Sequence, residues 1–315
     1  MNSEKQSYRI RNWREYNAAL VARGSLTVWF DEDQISQWYE QEATGRRGAS
    51  NTYSGVAIEC GLVMREVFHL PLRATEGFIG ALVKLLGLPL KVPDHSTFSR
   101  RGQDLEVLIG RSASTQARHI VIDSSGLKVY GEGEWKVRQH GVGKRRTWRK
   151  LHLAVDADSQ EAIAVELTAA FVGDAEVLPD LLDQLDPHEP IEAVSADSSY
   201  DTRRCHEAIG QRGARALIPP RAGAVEWPDL ADGQTHPRTA ILRQCQQQGE
   251  KHWKQTSGYH RRSLAETAMF RIKTLFGPKL KNRRFDTQTT EAYARVAAMN
   301  IMTRLGMPDS YEVAA

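Results

Sequence analysis

The chain has 315 residues, a length that suits two domains. Hydrophobic residues make up 41% and charged residues 26%, so a core of ordinary size can form without disulfide or metal staples. The net charge of +3 does not by itself single out nucleic acid as a partner; the distribution of the charge does. The cysteines, Cys60, Cys205 and Cys245, are far apart and odd in number, which excludes a disulfide framework and a C-x-x-C zinc knuckle and leaves free thiols. The opening MNSEKQSYRIRNWREYN is polar, and no run approaches the roughly 20 apolar residues of a membrane span. A cytoplasmic or nucleoid-associated protein is expected, with no membrane partner.

Residues 1–50 are polar, punctuated by Trp13, Tyr16, Trp29, Phe30, Trp38 and Tyr39. Thr44–Asn51 (TGRRGASN) has the composition of a loop. From residue 55 to 110 the texture is helical. GVAIECGLVMREVFHL places Val56, Ile58, Leu62, Val63, Val67 and Phe68 near helical spacing, and Pro71 interrupts it. LRATEGFIGALVKLLGL follows and ends near Gly87 and Pro89. DHSTFSRRGQDLEVLIG is the third candidate, capped by Asp94 or Ser96. Three short helices with tight corners fit an all-α, helix-turn-helix-like DNA-binding region, in which Arg100 and Arg101 are candidate DNA contacts. A helical bundle that only packs fits the same pattern.

After Ser114 the chain turns β-rich. ARHIVIDSSGLKVYG, TWRKLHLAVDAD and EAIAVELTAAF read as strands. DAEVLPDLLDQL reads as a helix, IEAVSAD as a strand, DTRRCHEAIGQRG as a helix and ARALIPP as a strand. The order β-β-β-α-β-α-β predicts an α/β domain with a mixed five-stranded sheet and flanking helices. Residues 221–256 are polar and irregular and read as an insertion or long loop; residues 258–277 and 286–305 read as the final helices. The expected division is 1–114 for the helical region, 115–307 for the α/β domain and 308–315 for a tail.

Asp123 closes the first predicted strand and Asp197 the fourth. If those strands lie parallel and adjacent, both carboxylates emerge at the carboxyl edge, where open α/β sheets gather their ligands. Asp156 also closes a strand, but a hairpin-connected strand runs the other way and carries it to the opposite edge. A lone Asp at such a place is equally a turn or cap residue.

Glu266 is the third acid. On one helix, Tyr259, Arg262, Glu266 and Lys273 are spaced 3, 4 and 7 apart and share one face. Ser263-Leu-Ala-Glu266 also matches a capping box, in which Glu266 would only satisfy a backbone N–H. Residues 251–284 carry ten Lys or Arg and Glu266 as the one acid, an odd pattern for a merely solvated face. Basic residues that bind phosphate around an acid that holds a metal would account for it. Three converging carboxylates suit Mg²⁺ or Mn²⁺, and two such ions about 4 Å apart could serve an in-line displacement at phosphorus. The attacking group would be water for cleavage and a DNA 3′-hydroxyl for joining. Residues 136–150 (KVRQHGVGKRRTWRK) carry seven Lys or Arg and no acid. Lys144, Arg145, Arg146 and Arg149 are therefore candidate phosphate contacts, against a solvated hairpin as the plainer reading. Trp148 could stack on a base or belong to the core.

Several of these blocks together resemble a known family. Y-x2-R-x3-E-x6-K stands here as Tyr259, Arg262, Glu266 and Lys273. HIVIDSSGLKVYGEGEWKVRQHG with WRKLHLAVD resembles a first-Asp block, SADSSYDTRRCH a second-Asp block and GYHRRSLAETAMFRIKTLFG a Glu block. NWREYNAALVARGSLTVWFDE and VPDHSTFSRR extend the likeness over nearly the whole chain. The chain resembles the DDE transposases of bacterial insertion sequences, most of all the insertion-sequence-five family and its nine-oh-three group. The resemblance implies an RNase H-like core, with Asp123, Asp197 and Glu266 as the catalytic, metal-binding triad. It implies that Tyr259, Arg262 and Lys273 help place the DNA end. It also implies double-stranded DNA, as element ends and target, for partner, and a homodimer in the DNA complex. Ser198 stands where the family often has Gly, and His95 where Tyr is common; neither touches the triad. Another RNase H-like nuclease and a non-enzymatic DNA-binding protein are the rival readings.

Overall fold

A computed structural model of the chain describes residues 7–41, 52–129, 148–231 and 233–313. The chain divides into two compact units, Met1–Val107 with Ala297–Ala315, and Leu108–Val296. Among the described residues no helix is long and apolar enough to cross a membrane.

In the first unit, β1 (Ser7–Ile10) precedes α1 (Trp13–Ala22), and α2 (Glu32–Ser36) opens on a capping box between Asp31 and Gln34. Of the aromatic punctuation, Trp29, Phe30 and Trp38 are core, Tyr16 and Tyr39 are half-buried and Trp13 is exposed. Trp29 and Trp38 are buried, and their indole N–H groups donate to the carbonyls of Arg23 and Lys91 at 2.9 and 2.8 Å. Three helices follow: α3 (Gly55–Val67), α4 (Leu72–Leu85) and α5 (His95–Arg101). Ile58, Met64, Ile79 and Phe98 close their shared core. Helices α3 and α5 meet at Gly61, where an added Cβ would fall 2.2 Å from the Phe98 ring. Asp94, not Ser96, caps α5, accepting from the N–H groups of Ser96 and Thr97.

Three expectations need correction here. The third helix stops at Arg101 and does not run to Gly110, because Gly102 ends it and the residues beyond bury few apolar side chains. The unit is not all-α, and its last residues are not a tail: Ser310–Val313 form β8, paired antiparallel with β1. That pairing joins segments nearly a chain length apart, so no local pattern announces it. The Thr44–Asn51 loop lies outside the described residues.

The second unit holds a mixed sheet. Its elements are β2 (Arg118–Val129), β3 (Trp148–Asp156), β4 (Ala162–Ala169), α6 (Asp174–Asp183), β5 (Ile191–Ser195), α7 (Arg203–Gln211) and β6 (Arg215–Leu217). The spatial order is β4-β3-β2-β5-β6, with β2, β3 and β4 antiparallel and β2, β5 and β6 parallel. A short sixth strand that the sequence did not announce, β7 (Lys279–Leu280), pairs with the end of β2. Ile120, Ile122 and Val194 pack on one face against Leu178, Leu181, Cys205 and Ile209 of α6 and α7. Pro179 sits inside α6 and cannot donate to the carbonyl of Ala175. The Cys205 thiol, 3.2 Å away, donates there instead.

Residues 221–256 are not irregular throughout. They carry α8 (Pro237–Gln248) and α9 (Glu250–Thr256). His236 accepts from the Arg238 N–H, and Pro237 occupies the first turn, so the start of α8 is well specified. The helices are poor in apolar residues, with Leu242 and Trp253 as buried anchors, which hides their periodicity. Gly258, at φ 84°, turns the chain into a 3-10 turn (Tyr259–Arg262) that runs directly into α10 (Ser263–Phe276). Helix α10 packs across β2 and β3 with Ala265, Ala268 and Ile272 buried, and α11 (Phe285–Leu305) follows.

Because β3 is antiparallel to β2, Asp156 lies opposite Ile120, near the start of β2. There it meets the Arg118 guanidinium, which also binds Glu189 and the carbonyl of Ser112 at 2.6 Å. Arg118 and Asp156 are almost wholly buried. Removing one partner from such a pair strands the other charge. Asp156→Ala is expected to cost about 3–5 kcal/mol, measured by urea unfolding; a loss under about 1 kcal/mol would show the pair to be solvated in practice.

Candidate active site

Strand β2 carries Asp123 just beyond the buried Ile122, with its side chain 19% exposed. Its Oδ1 accepts the Ser124 N–H at 2.9 Å. Strand β5 runs parallel to β2 with Ser195 opposite Val121. Two further steps along each chain bring Asp123 and Asp197 side by side just past the carboxyl end of β5; Asp123 does not close its strand as expected, because β2 continues to Val129 in its hairpin with β3. Asp197 caps the 3-10 turn Ser198–Tyr200 and accepts both the N–H (2.7 Å) and the hydroxyl of Ser199. Tyr200, 1% exposed, anchors that turn in the core beside Ile122 and Leu178.

The rival readings of Glu266 are separated by the backbone at Ser263. The Ser263 hydroxyl donates back to the carbonyl of His260 at 3.0 Å and caps nothing. Glu266 is therefore released from a capping role, and its carboxylate, half exposed, takes the Arg262 guanidinium. The same guanidinium stands 3.8 Å from Asp123 Oδ2, so Arg262 bridges the two acids. Lys273, two turns further along α10, donates to the Ser125 hydroxyl on β2. Tyr259 is buried; its ring lies against Trp253, with Lys254 and Arg262 over it at 5.4 and 5.9 Å. Its visible role is to back Arg262.

Electrostatics record the same convergence. Burial raises the Asp123 carboxyl above its ordinary range, and Asp197 and Glu266 add to the rise. The Ser124 N–H and Arg262 oppose it. Asp123 thus carries a charge the fold only partly offsets.

Carboxylate oxygens of this kind fit a hard divalent cation, and the excess negative charge favours one. Among the described residues no three acidic, histidine or cysteine side chains stand close enough to hold one ion as they are. Arg262 occupies the space between two of the donors. The donor set fits in kind; its closure requires Arg262 to release Glu266.

The remaining expected contacts are dispersed. Arg100 and Arg101 lie on α5 in the first unit, where Arg101 donates to the carbonyl of Tyr53 at 2.7 Å. Arg149 on β3 donates to Gln288 at 2.8 Å and covers the Phe285 ring. Trp148 packs over Gly126, where a Cβ would come within 3.1 Å of its ring. Lys144, Arg145 and Arg146 lie outside the described residues. Sequence reading missed Arg221, whose guanidinium binds the carbonyls of Ser198 and Ser199 next to Asp197. It also missed Ser125, which was visible only as a neighbour two residues past Asp123 on the same strand face.

Comparison with known proteins identifies the family. Residues 114–301 match a family model described as a transposase DDE domain, and residues 21–132 match a second model of the same description. Among solved structures the chain is similar to a piggyBac transposase synaptic complex with hairpin DNA, at 10% identity over 95% of this chain and 76% of that one. The TM-score of 0.38 is too low for that likeness to carry an argument. The first match spans more than half of the chain and includes Asp123, Asp197 and Glu266: the chain belongs to the DDE transposase family.

Proposed function

We propose that this chain binds the terminal inverted repeats of an insertion sequence, cleaves the element ends and joins them to target DNA. The observation that carries the reading is the meeting of Asp123 and Glu266 on one guanidinium, beside Asp197, at the carboxyl edge of a mixed sheet. The motif spacing supports assignment to the insertion-sequence-five family and its nine-oh-three group, with an RNase H-like core. The compact helical packing of α3, α4 and α5 supports a helix-turn-helix-like reader of the repeats in the N-terminal region, expected to span residues 1–114 ahead of a catalytic domain over 115–307. Joining two ends favours a homodimer on DNA.

The family is in general dependent on a divalent metal. Asp123, Asp197 and Glu266 would hold Mg²⁺ or Mn²⁺, as two ions, which when bound supply Lewis-acid stabilisation of the charge developing at phosphorus. The protein's own part is positional. The 3-10 turn before α10 presents Arg262, and α10 itself Lys273, over the strand that bears Asp123. A DNA phosphate arriving there competes with the two carboxylates for Arg262 and with the Ser125 hydroxyl for Lys273. Transfer of Arg262 to the phosphate frees Glu266, so the acids gather only when the substrate is present. Water attacks in the cleavage step and the freed 3′-hydroxyl in the joining step; Tyr259 limits where Arg262 can go.

Asp123→Asn, Asp197→Asn and Glu266→Gln should each abolish Mg²⁺-dependent cleavage of terminal-repeat DNA while gel-shift binding persists. Wild-type rate in any one of them removes that residue from the site. Stability gives a second test at Asp123. A carboxyl whose folded pKa is raised contributes stability at low pH and loses it as pH rises through that pKa. At neutral pH the ionised Asp123 burdens the metal-free fold, so Asp123→Asn should raise Tm, by about 2 °C, while remaining inactive. A clear fall in Tm would mean that the carboxylate is structurally required.

Arg262→Ala and Lys273→Ala should weaken strand transfer and reduce the slope of log affinity against log salt by about 1 each. An unaltered slope in both would place these cations away from DNA.

A further inference from the structure

Segment 221–256 is fastened to the turn that carries Asp197 by a buried charge cluster. Asp201 follows that turn directly, and its side chain is 2% exposed. Arg238 of α8 binds it with both arms of the guanidinium, Nε to Oδ1 at 3.1 Å and Nη2 to Oδ2 at 2.8 Å. His206 Nε2 lies 3.2 Å from Oδ1, and the Arg221 N–H donates to Oδ2 at 3.0 Å. Burial alone would raise this carboxyl, but His206, Arg238 and the Arg221 N–H together hold it well below the carboxylate range. Trp227 closes the cluster, with Arg238 and Arg203 over its ring at 4.8 and 5.2 Å.

This cluster fixes where Arg221 begins. The Arg221 side chain itself is exposed and reaches back to the carbonyls of Ser198 (3.0 Å) and Ser199. Those are the two residues after Asp197, within the turn that Asp197 caps. An exposed arginine normally keeps its rotamer freedom, and holding it on two backbone carbonyls costs side-chain entropy. The return for that ordering is the orientation of the turn, since the surrounding core is already closed by Tyr200 and the Asp201 cluster.

We infer that Arg221 is a positioning residue for Asp197: clamped at its backbone by Asp201, it fixes the turn whose first carboxylate faces the reacting phosphate. The catalytic part of this inference rests on the transposase reading; the clamp itself does not. The segment 221–256 then acts as a brace for one of the three acids.

The test compares the full-length wild-type chain with Arg221→Ala and Arg221→Lys. In metal-free, DNA-free protein, Arg221→Ala should keep Tm within about 2 °C. Hydrogen exchange should quicken in the peptide over residues 198–201, at the Ser199 amide above all, with no change in β2 or α10. At saturating terminal DNA the single-turnover cleavage rate should fall about 10- to 100-fold, since a misplacement near 1 Å can cost the upper figure. DNA affinity and its salt slope should not change. Arg221→Lys, with one donor group in place of the fork, should recover part of the rate. An unchanged cleavage rate overturns the inference, and so does unchanged exchange. Weaker DNA binding with a shallower salt slope also overturns it, by making Arg221 a phosphate contact. If the wild-type chain cuts no terminal DNA, the transposase reading falls, while the exchange measurement still decides the clamp.

Discussion

Like charges brought together in a partly dehydrated place are the constraint around which the second unit is built. Asp123 and Asp197 are set side by side by the parallel pairing of β2 and β5, and Glu266 is brought over them by α10. None of the three can leave: Asp123 and Glu266 sit on elements with buried faces, and Asp197 on a turn that Tyr200 anchors. Repulsion therefore has to be offset in place. The offset is Arg262, a residue on the same helical segment as Glu266, whose fork reaches Glu266 and Asp123 together. A guanidinium suits this task because its charge is spread over a plane and presents donors in two directions.

The contrast between Asp123 and Asp156 shows how topology assigns roles to equal residues. Both belong to one hairpin and both follow an apolar run, Asp123 midway along β2 and Asp156 at the end of β3. The antiparallel pairing sets Asp156 opposite Ile120, near the start of β2, while Asp123 lies three residues further on, past the end of β5. At the first place Asp156 finds a buried arginine that completes its charge, and the pair becomes part of the architecture. At the second Asp123 finds two more acids and an arginine shared with one of them. The first is satisfied by the fold; the second is left wanting a cation. Unsatisfied charge held in place by a rigid scaffold is the usual mark of a functional group.

Much of this was legible in the residues because it depends on local periodicity. The strands that carry Asp123 and lead to Asp197, and the discounting of Asp156, follow from period and polarity. The strand ends do not, since β2 runs on to Val129 and β5 stops at Ser195, and the helix expected over 258–277 begins only at Ser263, so Tyr259 and Arg262 precede it. Where the sequence supported two readings of Glu266, the choice lay in one hydroxyl: the Ser263 side chain turns back to His260 rather than to its own helix. That choice depends on the preceding 3-10 turn, which a window of helical periodicity does not resolve. The β1–β8 pairing and the short strand β7 were not legible, because their partners lie elsewhere in the chain. Helices α8 and α9 were hidden for a different reason. Their buried anchors are few, and part of their stabilisation is the ionic contact between Arg238 and Asp201, residues that read as ordinary surface polarity.

The arrangement also explains why so much buried charge sits close to the candidate site. A rigid hydrophobic core can fix the backbone of β2 and β5, but it ends where the strands end. Asp197 lies two residues past the end of β5, on a short turn with few apolar side chains of its own. Tyr200 holds one end of the turn in the core. The rest must be held by polar contacts, and these must be shielded from water to be firm. Asp201 with Arg238 provides the shielded anchor, and Arg221 extends it to the surface. In this way a segment without much core of its own carries rigidity from the interior to the turn that bears Asp197.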